Sequence, residues 1–204
     1  MIVSINPENP NKRKIKIVIE CILDGGVIVY PSDTVYSLGC CIFNRKAVER
    51  VAKIKNLNIK KKNFSIVCSD ISHISKFTNK IDNNIFKLLK RNLPGPFTFI
   101  LDANNKIPKI FKIKKKSIGV RIPEHIIPLT IVKMLNNPII STSVKDDNQI
   151  LEYITDPILI DKEIGKKVDI IIDSGFIGNI PSTIVDCTNK KIDIIRQGKG
   201  NLIL

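Results

Sequence analysis

Tryptophan is absent from the 204 residues, aromatic residues make up only 5%, and the chain carries two histidines, two methionines and six arginines. Each scarcity removes a class of function. His73 and His125 are the only histidines, and none of the five cysteines (Cys21, Cys40, Cys41, Cys68, Cys187) belongs to a Cys-x-x-Cys pair, so a metal centre has few ligands to draw on. The odd cysteine count and the adjacent Cys40-Cys41 argue against a disulfide framework. The expectation is a reducing compartment with the thiols as small buried apolar groups. There is no Gly-x-x-x-x-Gly-Lys-Ser/Thr loop, no Gly-x-Gly-x-x-Gly after a strand and no Gly-x-Ser-x-Gly. A serine hydrolase using His125 therefore lacks its nucleophile turn, and His125 reads as a loop residue in Arg-Ile-Pro-Glu-His. So few aromatics give no stacking platform for single-stranded bases. No apolar run approaches the roughly 20 residues of a membrane span. The opening Met1-Ile2-Val3-Ser4-Ile5-Asn6 lacks the basic start and apolar middle of a secretory signal, so the expected location is the cytoplasm.

Hydrophobic residues make up 43%, enough for residues 1–204 to bury a core as one domain. Basic residues outnumber acidic ones 33 to 19, a net charge of +14. Lysine dominates, and isoleucine and asparagine are abundant, a mixture that AT-rich coding produces by itself. High charge alone is thus a weak argument for nucleic acid. The few arginines carry more information, because a planar guanidinium grips phosphate or carboxylate through two hydrogen bonds where an ammonium offers a point charge.

Asn9-Pro10 suggests a helix start, followed by Ile15, Ile19, Ile22 and Leu23 on one face and a stop at Gly25-Gly26. Further helices are predicted over Arg45 to Lys55, Ile81 to Arg91 and Ile126 to Leu135. Strands are predicted at Val27 to Tyr30, Phe64 to Cys68, Phe97 to Leu101, Ser117 to Ile122, Ile139 to Ser143, Asp169 to Ile172, Thr183 to Cys187 and Ile192 to Ile195. The interleaving predicts an α/β fold with helices packed on a mixed sheet. Lys60-Lys61-Lys62 and Lys114-Lys115-Lys116 fall between elements, in loops.

Polar clusters recur at the predicted strand ends, where α/β folds place ligands. They are Pro31-Ser32-Asp33-Thr34-Val35-Tyr36, Pro94-Gly95-Pro96-Phe97-Thr98-Phe99, Arg121-Ile122-Pro123, Ser141-Thr142-Ser143, Pro181-Ser182-Thr183-Ile184-Val185-Asp186 and Ile195-Arg196-Gln197-Gly198. Singly, each has a plain structural reading: Ser32 and Asp33 as turn caps, Pro-Gly-Pro as a rigid turn, Arg121 as a surface salt bridge of little energy. Converging on one cleft, they suit an oxyanion-rich ligand such as a nucleoside triphosphate.

In this order, the six motifs resemble the YrdC-like domain family over about residues 25–200. The resemblance implies a twisted mixed β-sheet flanked by helices, with a large basic concave cleft. Threonylcarbamoyl-adenylate synthases of the family join L-threonine, bicarbonate and ATP, with Mg²⁺ on the nucleotide, into threonylcarbamoyl-AMP and pyrophosphate. The product serves modification of adenosine 37 in tRNA. The resemblance implies catalytic roles for Lys55 and Arg121, and threonine contacts from Thr34, Tyr36 and Arg121. It assigns Lys55, Ser143, Ser182, Thr183 and Arg196 to the nucleotide, with no protein-bound metal site. Two positions depart from the family pattern. Lys55-Asn56-Leu57 has Leu57 where Lys-x-Arg would put an arginine, and Ser143-Val144-Lys145 has Lys145 where Ser-x-Asn would put an amide. A missing charge-assisted hydrogen bond costs about 1.5–3 kcal/mol, roughly ten- to a hundredfold in the step it serves. These departures resemble the YciO branch more closely than the synthases. The alternative is a non-catalytic module holding double-stranded RNA or tRNA in a basic cleft.

Overall fold

The computed structural model describes residues 1–56, 64–108, 117–144 and 153–204. The first half comprises β1 (Ile2–Ser4), α1 (Lys12–Leu23), β2 (Ile28–Tyr30), β3 (Ser37–Gly39), α2 (Arg45–Ile54), β4 (Ser65–Val67), α3 (Ile71–Ser75) and α4 (Asn83–Asn92). The second comprises β5 (Phe97–Asp102), β6 (Ser117–Arg121), α5 (Ile126–Leu135), β7 (Ile139–Ser143), α6 (Pro157–Ile164), β8 (Ile170–Asp173), β9 (Thr183–Asp186) and β10 (Asp193–Arg196). Among the described residues the strands form one twisted mixed sheet in the order β1-β8-β2-β3-β7-β4-β6-β5-β9-β10. Parallel pairs (β1 with β8, β2 with β8, β4 with β6, β5 with β9) are interspersed with antiparallel ones, as expected of a mixed sheet.

Every predicted element is present, with ends that coincide or shift by one or two residues. The helix start is one correction. Asn11, not Asn9, caps α1: its side chain accepts from the Arg13 and Lys14 amides at 2.9 and 3.3 Å, so Pro10 precedes the helix. Four elements were not predicted. The short β1 and β3 are held by neighbours distant in sequence, β1 by β8 and β3 between β2 and β7. The five residues of α3 are too few for a periodic pattern. In α6, Ile158 and Leu159 face solvent, which blurs its apolar stripe.

Side chains alternate across a strand, and the core divides accordingly. Val29, Ile66, Phe97, Phe99, Val120, Ile140, Ile171 and Val185 lie on one face, under α2, α3, α4 and α6. Ile28, Tyr30, Val67, Ile139, Ile170 and Ile172 lie on the other, under the neighbouring helices α1 and α5. The first cluster draws on every strand from β8 to β9 in the sheet order and on neither edge strand, β1 or β10. The second contains no residue of β5, β6, β9 or β10, so among the described residues no apolar helix packs on the second face over those strands.

Candidate functional site

The hydroxyls lie on that second face, on the uncovered strands and on β4 and β7 beside them. Period-2 alternation writes it into the sequence: Ser65 precedes buried Ile66, Thr98 lies between Phe97 and Phe99, Gly119 and Arg121 flank Val120, and Ser141 and Ser143 lie on either side of Thr142. Sheet register brings them together. Ser65 pairs with both Ser141 and Gly119, Ser37 with Ser143, and Thr98 and Arg196 both oppose Ile184. The result is a cavity of about 140 Å³ with Thr34, Ser65, Thr98, Arg121, Ser143, Ser182 and Arg196 among its lining residues. The cavity thus lies on a sheet face and not only at a row of strand ends. A Cβ at Gly119 would lie 2.6 Å from Ser65 Oγ and 3.2 Å from Thr98 Cγ2, so the floor at this point has room only for glycine.

Two arginines flank the hydroxyls. Arg121 ends β6 and is 5% exposed. Its Nη2 donates to Asp33 Oδ1 at 2.9 Å and Thr34 Oγ1 at 3.1 Å, while its buried Nε has no protein partner. Arg196 ends β10 and grips the Ser182 carbonyl through Nε and Nη2 at 3.2 and 2.7 Å. Ser182 Oγ lies 2.8 Å from Thr98 Oγ1. A hydroxyl-lined basin with two guanidiniums suits phosphate and carboxylate oxygens, and its low dielectric strengthens each interaction.

A family model described as telomere recombination, covering the Sua5, YciO and YrdC proteins, matches residues 20–198. The chain belongs to this family. It is 37% identical to the uncharacterized YciO protein of Escherichia coli over 97% of this chain and 95% of that protein. The crystal structure of E. coli YciO superposes with a TM-score of 0.92, covering 98% of this chain and 97% of that one. A threonylcarbamoyl-AMP synthase of Coxiella burnetii is 30% identical over 76% of this chain and 82% of its own length. The structure of P. abyssi Sua5 complexed with L-threonine matches with a TM-score of 0.89 at 25% identity, over 97% of this chain and 57% of that chain.

Of the residues singled out by resemblance to the YrdC-like family, Thr34, Arg121, Ser143, Ser182 and Arg196 line the one cavity. The others lie elsewhere. The Tyr36 hydroxyl donates to the Gly175 carbonyl at 2.7 Å and accepts from the Ser174 amide, and burial raises its pKa. Thr183 is fully buried behind the cavity, donating to the Gly200 carbonyl at 2.6 Å and accepting from the Gly198 amide at 2.9 Å. Lys55 is the C-cap residue of α2 and is 8% exposed. Leu57, Lys145, Lys60–Lys62 and Lys114–Lys116 lie outside the described residues. Arg121 is no surface salt bridge: its side chain and that of Asp33 are 6% and 7% exposed. Sequence reasoning missed Ser65 and named Thr98 and Ser141 only within their motifs, without a role, although alternation with buried apolar neighbours was a readable signal. His125 is the N-cap of α5, its Nδ1 accepting from the Ile127 amide, and burial lowers its pKa against the opposing pull of Asp33. Among the described residues no three His, Cys, Asp or Glu side chains gather as a metal site, and no helix is long and apolar enough to cross a membrane.

Proposed function

We propose that the cleft binds ATP beside a small amino-acid-derived carboxylate, and that the protein is a YciO-type relative of threonylcarbamoyl-AMP synthase. The observation that carries this reading is the basin itself, in which the buried Arg121 and the partly buried Arg196 border a row of hydroxyls. An apolar substrate would leave those groups unpaired, whereas carboxylate and phosphate oxygens satisfy them. In the proposed reaction L-threonine and bicarbonate give a carbamate with loss of water, and one of the carbamate oxygens attacks the α-phosphorus of ATP. The bond to the bridging oxygen breaks, pyrophosphate leaves, and threonylcarbamoyl-AMP remains. Mg²⁺ enters with the triphosphate as part of the substrate.

Thr34 and Arg121 would hold the threonine carboxylate. Ser143, Ser182 and Arg196 would hold the nucleotide, leaving the protein mostly a task of positioning and charge neutralisation. Thr183 acts one layer back by ordering Gly198 and Gly200. Leu57 and Lys145 lower the expected rate by roughly ten- to a hundredfold for each charge-assisted hydrogen bond they fail to make.

The test is pyrophosphate release from purified protein with ATP, Mg²⁺, bicarbonate and L-threonine, each omitted in turn. Release that needs all of them is the expected result. Absence of ATP binding at about millimolar concentration, a weak limit for any nucleotide site, would sink the proposal. The net charge of +14 favours a second reading, RNA binding. Salt-sensitive tRNA binding without any pyrophosphate release would support that reading instead.

A further inference from the structure

We propose that Asp33 is a positioning residue that aims Arg121 into the cleft and, through its backbone carbonyl, ties down the segment carrying Arg196. The consequence for ligand affinity rests on the proposed function above; the clasp itself does not.

The clasp is built from local structure upward. After the buried β2, Ser32 Oγ donates to the Val35 carbonyl at 2.7 Å and accepts from the Thr34 and Val35 amides, each at 3.3 Å. This tight turn directs Asp33 toward the end of β6. There Asp33 Oδ1 accepts from Arg121 Nη2 at 2.9 Å and Oδ2 accepts from the Glu124 amide at 3.1 Å. Both carboxylate oxygens are engaged, so the guanidinium has one docking orientation. On the other side of the same residue, Lys199 Nζ donates to the Asp33 carbonyl at 2.6 Å. Lys199 lies three positions beyond Arg196, and its own amide donates to the Pro181 carbonyl at 2.9 Å. One residue therefore links the carriers of both cleft arginines.

A buried ion pair is a poor source of stability, since desolvation offsets most of the attraction. It does fix direction. With Nη2 held by Asp33 and Thr34, the guanidinium sits in one orientation at the wall of the cavity that Arg121 lines, its Nε buried and unpartnered. So held, it presents the same edge to an incoming carboxylate.

With six arginines in the chain, guanidinium nitrogen NMR can follow Arg121 directly, assigned by its loss in Arg121→Lys. In the unliganded wild type, Arg121 should give separate, slowly exchanging Nη signals. In Asp33→Asn, which keeps the shape and removes the charge, these should merge. Asp169→Asn, which weakens the distant Arg50–Asp169 pair, should leave them separate. L-threonine affinity, read by titration calorimetry, should fall about tenfold or more in Asp33→Asn and recover in part in Asp33→Glu. Lys199→Met should weaken ATP while leaving the Arg121 signals separate. Arg121 signals already averaged in the wild type would overturn the proposal even if Asp33→Asn did not fold. So would a folded Asp33→Asn with unchanged signals. A wild type that binds neither ATP nor L-threonine would defeat the functional reading, and the NMR result would still decide the clasp.

Discussion

At the scale of single residues, burial decides what each polar group can do. Arg121 and Ser182 are among the few polar side chains driven below a tenth of full exposure, and they border the same cavity. The histidines show the opposite use of burial. His73 is 5% exposed with Nε2 unpartnered, and burial lowers its pKa from the ordinary 6.5; His125 is lowered by burial as well. Above that ordinary value both folded and unfolded chains hold neutral imidazoles. Below it the unfolded chain takes up protons that the folded chain resists, so stability falls with falling pH until the folded pKa values are passed. Urea midpoints should therefore drop between about pH 7.5 and about pH 5.5, and His73→Phe should reduce the slope. A midpoint and slope that the substitution leaves unaltered would show that His73 contributes nothing.

At the scale of elements, the site depends on strands whose two faces have different duties. In Phe97-Thr98-Phe99 the rings face a core and the hydroxyl faces the cleft; in Gly119-Val120-Arg121 the apolar residue faces that core while glycine and arginine face the cleft. Gly119 is the most constrained member, because any β-carbon there meets Ser65 Oγ at 2.6 Å. Gly119→Ala should turn Ser65 away or push β4 from β6, at about 1–3 kcal/mol by the usual cost of overpacking. Denaturant unfolding measures that cost, and ATP titration on the folded variant should show weaker binding. Full ATP affinity at wild-type stability would mean that the floor is more pliant than these distances imply.

At the scale of the whole molecule, the sheet order brings residues far apart in sequence to one basin. Its core also seals three of the five thiols. Cys40, Cys68 and Cys187 are buried, and burial pushes their pKa values up, that of Cys187 to about 12, whereas Cys21 and Cys41 are partly exposed. An aromatic disulfide reagent should label Cys21 and Cys41 in the native protein and reach the other three only as it unfolds. Rapid labelling of Cys68 under native conditions would contradict this packing.

The sequence by itself determined the main elements and the mixed α/β class, because runs such as Ile126 to Leu135 and Ile139 to Ser143 carry their period in local residue order. Their ends there coincide with α5 and β7. The ordered motifs were also enough for the family. What only the tertiary structure decided is which polar residues share a basin. Tyr36 and Thr183 sit one residue from Val35 and Ser182 of the cavity wall, yet alternation turns them into the scaffold. Asp33 reads locally as a turn cap, and its partner Arg121 lies 88 positions away. Pairing between distant strands and the burial of an ion pair are non-local, set by which faces the helices cover and which they leave open, and no stretch of local sequence records them.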